Sequence, residues 1–373
     1  AWKLSHSTFD PPGLWVSYVD AFNGDLLKSD SQVKHVDGTG MVFEPNPVQR
    51  NGSTAGLTDG NDANSTILSS LRQNVPLLSL DGSGFLNGPY VIMNGAASAT
   101  PNPAGFPGTI PAGSWNHALS NAVPPVYNYG RADKAFEEVS IYYAIDSVQR
   151  YIQSLGFPNF CNRPIDICAH AFQGFNAYAT SGFQMHFGDG ANPGGGAGTN
   201  SGVDLSEDMD VVVHEYGHSC IFDVQPGWGM TDVKGVHEGG AIHEGFGDYL
   251  ALSYYGEKGN ATYLSNAGQK AALGEWSMLN PAGLRNGENT KNYNTDWDTN
   301  SGPGGTPEVH MNGEIWMGAL WDLRKLLVAK HGLPQGAQIC DKLVFEALMG
   351  APSPNCTFSL MVQEIYKADQ VLN

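Results

Sequence analysis

Apolar residues recur at intervals of three and four from Ala132 to Leu155, the period of a helix that buries one stripe. A second such run, rich in alanine, leucine and aromatic residues, spans Ala241 to Tyr255, and the pattern stays mainly helical from there to Asn373. The front of the chain reads differently. Residues 1 to 30 form two strand-like stretches around Pro11-Pro12-Gly13, and residues 31 to about 130 are short β-like runs broken by Gly, Pro and Asn. No helical period survives there. The pattern predicts an α+β chain, with strands first and helices after. At 373 residues it is long enough for two domains of ordinary size.

Where the two regimes meet, acidic Glu207, Asp208 and Asp210 suit a helix N-terminus. The helix they open carries His214-Glu215-Tyr216-Gly217-His218. Positions i and i+4 share a helical face, so His214 and His218 can aim at one metal ion, with Glu215 beside them as a candidate base. Glu244, on the Ala241 to Tyr255 helix, supplies a carboxylate to complete a His2Glu set. Such a set leaves a fourth position open, as in catalytic zinc, whereas structural zinc is usually closed by four protein ligands. Asp248 lies one turn beyond Glu244 on the same face. It is placed to accept the other ring N–H of a ligating histidine, fixing its tautomer.

These motifs resemble those of the gluzincin metallopeptidases, the fungalysin and thermolysin group. Fungalysins carry text close to HEYTHG followed by GEGWSD, and here the corresponding segments are HEYGHS and HEGFGD. Gly217 stands where the motif has threonine. It costs the helix on the order of 1 kcal/mol in propensity and lets a neighbouring chain pass close. Downstream, the Glu308 to Arg324 segment EVHMNGEIWMGALWDLR is similar to the VHxxGExW region. The resemblance implies that His310 stabilises the oxyanion of the tetrahedral intermediate. It likewise implies that Arg285, in GLRN, binds a substrate backbone carbonyl, and that Asn176 and Ala177, in NAYATSGFQMHFGDG, belong to an edge strand that pairs with the peptide. It covers roughly Ala132 to Asp369.

The function implied is zinc-dependent (Zn2+) endoproteolysis: water activated at the metal, Glu215 as general base, His310 on the developing oxyanion, and no covalent intermediate. The rival is a latent or retired peptidase scaffold used for binding or adhesion. Such a scaffold commonly lacks the base, a ligand or the histidine, and none is missing here. The implied architecture is thermolysin-like and two-lobed. A β-rich N-terminal lobe, residues 31–220, ends in the zinc helix, and a mainly helical lobe follows over 221–373. Trp15 to Leu27 resembles the final hairpin of an inhibitory prodomain, so residues 1–30 read either as a propeptide remnant or as a native first hairpin.

Net charge is −18 with 15% charged residues, which argues against a nucleic-acid partner. No apolar run approaches the roughly 18 residues a membrane span needs. The chain opens on alanine without a visible signal peptide, the expectation for a processed, secreted protein whose partners are protein or peptide substrates and its own propeptide. Of five cysteines, Cys161 with Cys168 and Cys340 with Cys356 are candidate disulfides, leaving Cys220 as a buried thiol. Calcium (Ca2+) is the second metal to consider, at Asp59-Gly60-Asn61-Asp62, Asp296-Trp297-Asp298 or Asp210. Solvated loops are the default for those clusters, and no acidic cluster after Glu244 finishes a site at Asp210.

Overall fold

The structure, a computed structural model, describes residues 1–9, 12–31, 35–60, 62–93, 120–172, 174–190 and 202–372. Pro11 and Asn61, and most of the glycine-rich stretch after Gly188, lie outside the described residues.

The chain mixes helix and sheet, with two short helices inside the region read as β-like and strands that follow the first long helix. Strands β1 (Trp2–Phe9), β2 (Pro12–Val19) and β3 (Leu26–Ser31) form an antiparallel sheet, one strand more than the pattern predicts. The turn from β2 to β3 is closed by Asp20, whose carboxylate accepts from the Phe22 N–H, and by Asn23, which accepts from the Asp25 N–H. Strand β4 (Val36–Val42) leads to two short helices, α1 (Pro47–Asn51) and α2 (Thr66–Leu71), then to β5 (Gln73–Leu80), which pairs with β4. Strand β6 (Val91–Met93) belongs to another sheet, and β7 (Val126–Tyr127) adds to β4 in parallel.

Helix α3 (Ala135–Ser154) matches its predicted period within three residues and buries Phe136, Val139, Ile141, Ile145, Val148 and Ile152. Strands β8 (Ile165–Phe172), β9 (Ala177–Thr180) and β10 (Gln184–Gly188) complete the second sheet in the order β6-β8-β10-β9. β9 therefore sits at its edge among the described residues.

Helix α4 (Met209–Val224) starts on an Asp208 side chain that accepts from the Asp210 N–H. This is an acidic N-cap satisfying one of the free amides of the first turn. Helix α5 (Gly239–Tyr255) follows, then α6 (Ala261–Leu264), α7 (Ala267–Lys270) and the small β11 (Ala272–Leu273) and β12 (Arg285–Asn286) ladder. The chain ends in α8 (Val309–His331), α9 (Gln335–Gly350) and α10 (Phe358–Leu372). Helix α8 is capped at both ends. Glu308 accepts from the Met311 N–H, Lys330 and His331 occupy the last turn, and Gly332 takes φ 75° beyond it.

The main core joins the two regimes, packing residues of β5, β8 and α3 with Val212, Tyr216, Phe246, Trp316 and Phe345. All five cysteines are buried free thiols, which corrects the expected pairing of Cys161 with Cys168 and of Cys340 with Cys356. Cys161, in a turn at φ 48°, neighbours Cys220 on α4, not Cys168 on β8.

Candidate active site

Three helices converge through glycines. A side chain at Gly217 on α4 would put its Cβ 2.7 Å from the Cα of Gly247 on α5. One at Gly313 on α8 would come 2.6 Å from the Glu244 Cβ, and one at Gly245 would meet the Gly313 carbonyl at 2.5 Å. All three distances are below what real Cβ atoms tolerate, so backbones touch where larger residues would hold helices apart. The close passage expected at Gly217 is thus with α5. Gly247 faces α4 and Gly245 faces α8, so α5 is gripped from both sides.

That grip brings the predicted residues together. His214, His218 and Glu244 present ligand atoms all within 4.8 Å of one another, and all three are buried. His214 Nε2 lies 3.3 Å from Glu244 Oε2, and His218 Nε2 lies 3.6 Å from Glu244 Oε1. Donors about 2.1 Å from a tetrahedral ion are about 3.4 Å apart, so these residues fit zinc with little movement. Glu244 Oε2 is buried without a hydrogen bond among the described residues. A cation between it and the imidazoles would satisfy it.

Behind the cluster, the far ring nitrogens are fixed. His214 Nδ1 lies 2.7 Å from Asp248 Oδ1. Asp248 in turn accepts two bonds from Arg285, from Nε and from an Nη, each at 2.7 Å. Burial opposes ionisation of Asp248, but Arg285 and His214 hold its carboxyl down at about 2. Burial likewise works against a charged His214, yet the Asp248 carboxylate lifts it to about 10. Among the described residues, no carboxylate stands behind His218. Its Nδ1 lies 3.3 Å from Nδ1 of His243, and burial pushes its imidazole down to about 4.

The cluster opens on a cavity of about 300 Å³ whose walls include Glu215, His310, Arg285, Asn176 and Ala177. Every sequence-predicted residue other than the three ligand candidates and Asp248 thus faces one space. Burial raises the Glu215 carboxyl to about 7, where a base is half ionised at neutral pH. His310 is 48% exposed, with Nε2 3.3 Å from Glu244 Oε2 and Nδ1 2.7 Å from Glu308 Oε1. Glu244, then Glu308, favour its charged form and raise its pKa. No tyrosine lines this cavity among the described residues.

Sequence reasoning missed three contributors. Glu308 stands out in the sequence only as the first residue of the segment similar to VHxxGExW, His243 only as the residue before Glu244, and Glu275 not at all. Glu275 shares the Asn46 amide with Asp208 and Asp210, at 3.3, 3.4 and 3.1 Å, so an acid after Glu244 does reach Asp210. The other acidic clusters are used locally. Asp59 and Asp62 pair with Arg131, and Asp298 accepts from the N–H groups of Asn300, Ser301 and Glu308.

Compared with known proteins, the chain matches a family model described as fungalysin metallopeptidase (M36) over residues 72–373. That reaches about sixty residues further toward the N-terminus than the motif resemblance. It is 29% identical over 187 residues to Extracellular metalloproteinase MEP of Pyricularia oryzae, covering 45% of this chain and 28% of that protein. It is 26% identical over 189 residues to Extracellular metalloproteinase 2 of Phaeosphaeria nodorum, covering 47% of this chain and 29% of that protein. The chain therefore spans well under two thirds of the length of these relatives.

Proposed function

The chain belongs to the fungalysin metallopeptidase family, and from that premise we propose that it is a secreted zinc endopeptidase of the gluzincin type. The carrying observation is the convergence of His214, His218 and Glu244 on one point, with Glu215 on the wall of the cavity they open into. Those three residues would hold the metal. Bound there, zinc supplies a Lewis acid and lowers the pKa of water toward about 7.

The chain's own residues do the rest. Glu215, poised near 7, accepts the proton of the attacking water and returns it to the leaving amine. His310, kept protonated by Glu244 and Glu308, donates to the oxygen on which charge develops. Asp248 and Arg285 hold the His214 ring in one tautomer and orientation. The edge position of β9 supports main-chain pairing of an extended peptide beside Asn176 and Ala177, with Arg285 available to a substrate carbonyl. We assign residues 31–220 to an N-terminal lobe and 221–373 to a C-terminal lobe. The sheet strands up to β10 precede residue 189, and α4 to α10 begin at residue 209, which supports that division. Residues 1–30 carry a sheet of their own, β1-β2-β3, which supports reading them as the remnant of a propeptide, with a native first hairpin as the alternative. The names of the extracellular relatives support secretion, and among the described residues no helix is long and apolar enough to cross a membrane. Calcium is not part of this reading.

The test is hydrolysis of an unstructured protein such as casein by the purified chain, with and without a zinc chelator, beside Glu215→Gln with its metal content measured. Loss of activity on chelation, and in Glu215→Gln with zinc still bound, is the expected result. Hydrolysis that survives both rules the reading out. A wild-type chain that binds zinc and cleaves nothing returns the case to the retired-scaffold alternative.

A further inference from the structure

A second cluster of histidine and carboxylates lies away from the cavity just described. His170 on β8, Asp189 just after β10 and Asp204 before the 3-10 turn Leu205–Glu207 present ligand atoms within 4.8 Å of one another. Glu137, in the first turn of α3, joins them, with an oxygen 3.6 Å from His170 Nε2.

The tautomer of His170 follows from its neighbours. Nε2 lies 2.9 Å from the Lys134 carbonyl oxygen, which can only accept, so Nε2 carries a proton. Nδ1 then faces Asp189 Oδ1 at 2.7 Å and Asp204 Oδ2 at 3.8 Å. A nitrogen between two carboxylates must either hold a second proton or share a cation with them. A second proton would give Asp189 a hydrogen bond. Asp204 Oδ1 and Glu137 Oε2 would still lack a hydrogen bond among the described residues, although both side chains are almost wholly buried.

Nearby positive charge is committed elsewhere. Arg131 spends its guanidinium on Glu207 and Asp59, and Lys134 reaches Asp189 only at 3.6 Å from an exposed position. Asp204 and Glu137 both line a cavity of about 200 Å³, room enough for an ion and water. Carboxylates this deep, 3.6 and 3.8 Å from the His170 ring nitrogens, are pushed up by burial and must take up a proton or a counter-ion.

We propose that His170, Asp189, Asp204 and Glu137 form a second metal site, taking a divalent transition ion such as zinc or manganese. The imidazole nitrogen argues against calcium, which takes oxygen ligands, and carboxylates suit manganese or zinc. A backbone carbonyl holding the far N–H of the ring is the usual brace of a ligating histidine. Nδ1 and Asp204 Oδ2 already stand near coordination spacing, and Asp189 must swing out by roughly 0.7 Å to reach the about 3.4 Å that separates two donors on one tetrahedral ion. The ion has no path into the peptidase chemistry. It ties α3 and the sheet to the segment that leads into α4.

Metal stoichiometry tests this directly. The full chain is stripped with chelator, re-equilibrated with Zn2+ or separately with Mn2+, desalted, and weighed by native mass spectrometry. Two ions are expected on the wild-type chain, one on His218→Ala, one on Asp204→Asn or Glu137→Gln, and none on His218→Ala/Asp204→Asn. One ion on the wild type with none on His218→Ala overturns the proposal and leaves His170 as an imidazolium. The Asn and Gln changes are near-isosteric and remove a buried charge, so folding without metal should persist. Thermal melts supply a second readout. Added metal should raise the Tm of His218→Ala by several degrees and leave His218→Ala/Asp204→Asn unmoved; equal responses in the two overturn the proposal as well.

Discussion

His170 and His214 are both buried, and each sets a ring nitrogen 2.7 Å from an aspartate oxygen, yet the two rings sit in opposite settings. Asp248 behind His214 is neutralised by Arg285, so it acts as an orienting clamp and leaves Nε2 free to face the cavity. Asp189 beside His170 has acids for company, and the far nitrogen of that ring is spent on a backbone carbonyl. One cluster offers a single carboxylate to a metal, Glu244, and opens on a space shared with Glu215 and the half-exposed His310. The other offers three, Glu137, Asp189 and Asp204. A metal bound in the first would keep a position for substrate, while one bound in the second would take four ligands from the protein. What sets the two aspartates apart is Arg285, which stands behind Asp248.

Substitutions can break that contrast, and the largest effect is expected at the open end. His310→Ala should lower kcat by about 10²–10³-fold, the usual cost of one oxyanion donor, with KM and zinc content little changed. Steady-state kinetics on a peptide substrate check it. Glu308→Gln should give a smaller loss, because it removes the charge that keeps His310 protonated and leaves the ring in place. A change in KM alone for His310→Ala would assign the residue to binding instead.

Next comes the clamp. Asp248→Asn should weaken zinc about 10–100-fold, since it uncouples His214 from its tautomer and leaves Arg285 without its partner. Competition with a zinc-binding dye measures this without any assay of turnover. The same change made at Asp204 should leave the affinity of the catalytic ion unaltered, which sharpens the distinction between the two clusters.

Much of the open cluster was legible in the sequence because its information is local. Spacing of four in His214 and His218, four again between Glu244 and Asp248, and the helical periods around them need only a single helix to be meaningful. Acidic N-caps were legible for the same reason. What escaped is contact between distant segments. Asn46 bridges Asp208, Asp210 and Glu275 across separations of 162 to 229 residues, and His170 meets Glu137 and Asp204 across 33 and 34 positions. Nothing periodic marks such pairs. The expected disulfides failed likewise, since proximity in sequence between Cys161 and Cys168 says nothing about where a turn and a strand point their thiols.

A third prediction follows from the glycines. Propensity alone says that Gly217→Ala should stabilise α4 by roughly 1 kcal/mol. The backbone of Gly247 at 2.7 Å says the reverse, because no flexible side chain is there to yield. Overpacking of this kind costs about 1–3 kcal/mol. Chemical denaturation should therefore show Gly217→Ala less stable than wild type and, through the displaced His214 and His218, weaker in zinc. A more stable variant would mean that the helices slide apart freely and that close contact is not what assembles the site.

The smallest effect is a control for both clusters. His186 on β10 is buried and stacks on Tyr178 with ring centroids 4.7 Å apart, and burial pushes its imidazole down to about 4. It lies on the sheet that holds His170 and is held neutral where His170 is raised. The sign follows from linkage. A histidine whose folded pKa is depressed contributes stability above its unfolded value near 6.5, and that stability is lost as pH falls from there toward 4. Between pH 7.5 and 5.5 the loss from this one group amounts to about 1 kcal/mol, or about 2 °C in Tm for a chain of this size. His186→Phe keeps the stack and removes the titration, so its Tm should fall less over the same interval. If wild type and His186→Phe lose stability in parallel, His186 takes up its proton as readily in the folded chain as in the unfolded one. Burial in this sheet would then not be enough to neutralise a histidine, and the contrast drawn with His170 would have to rest on the carboxylates alone.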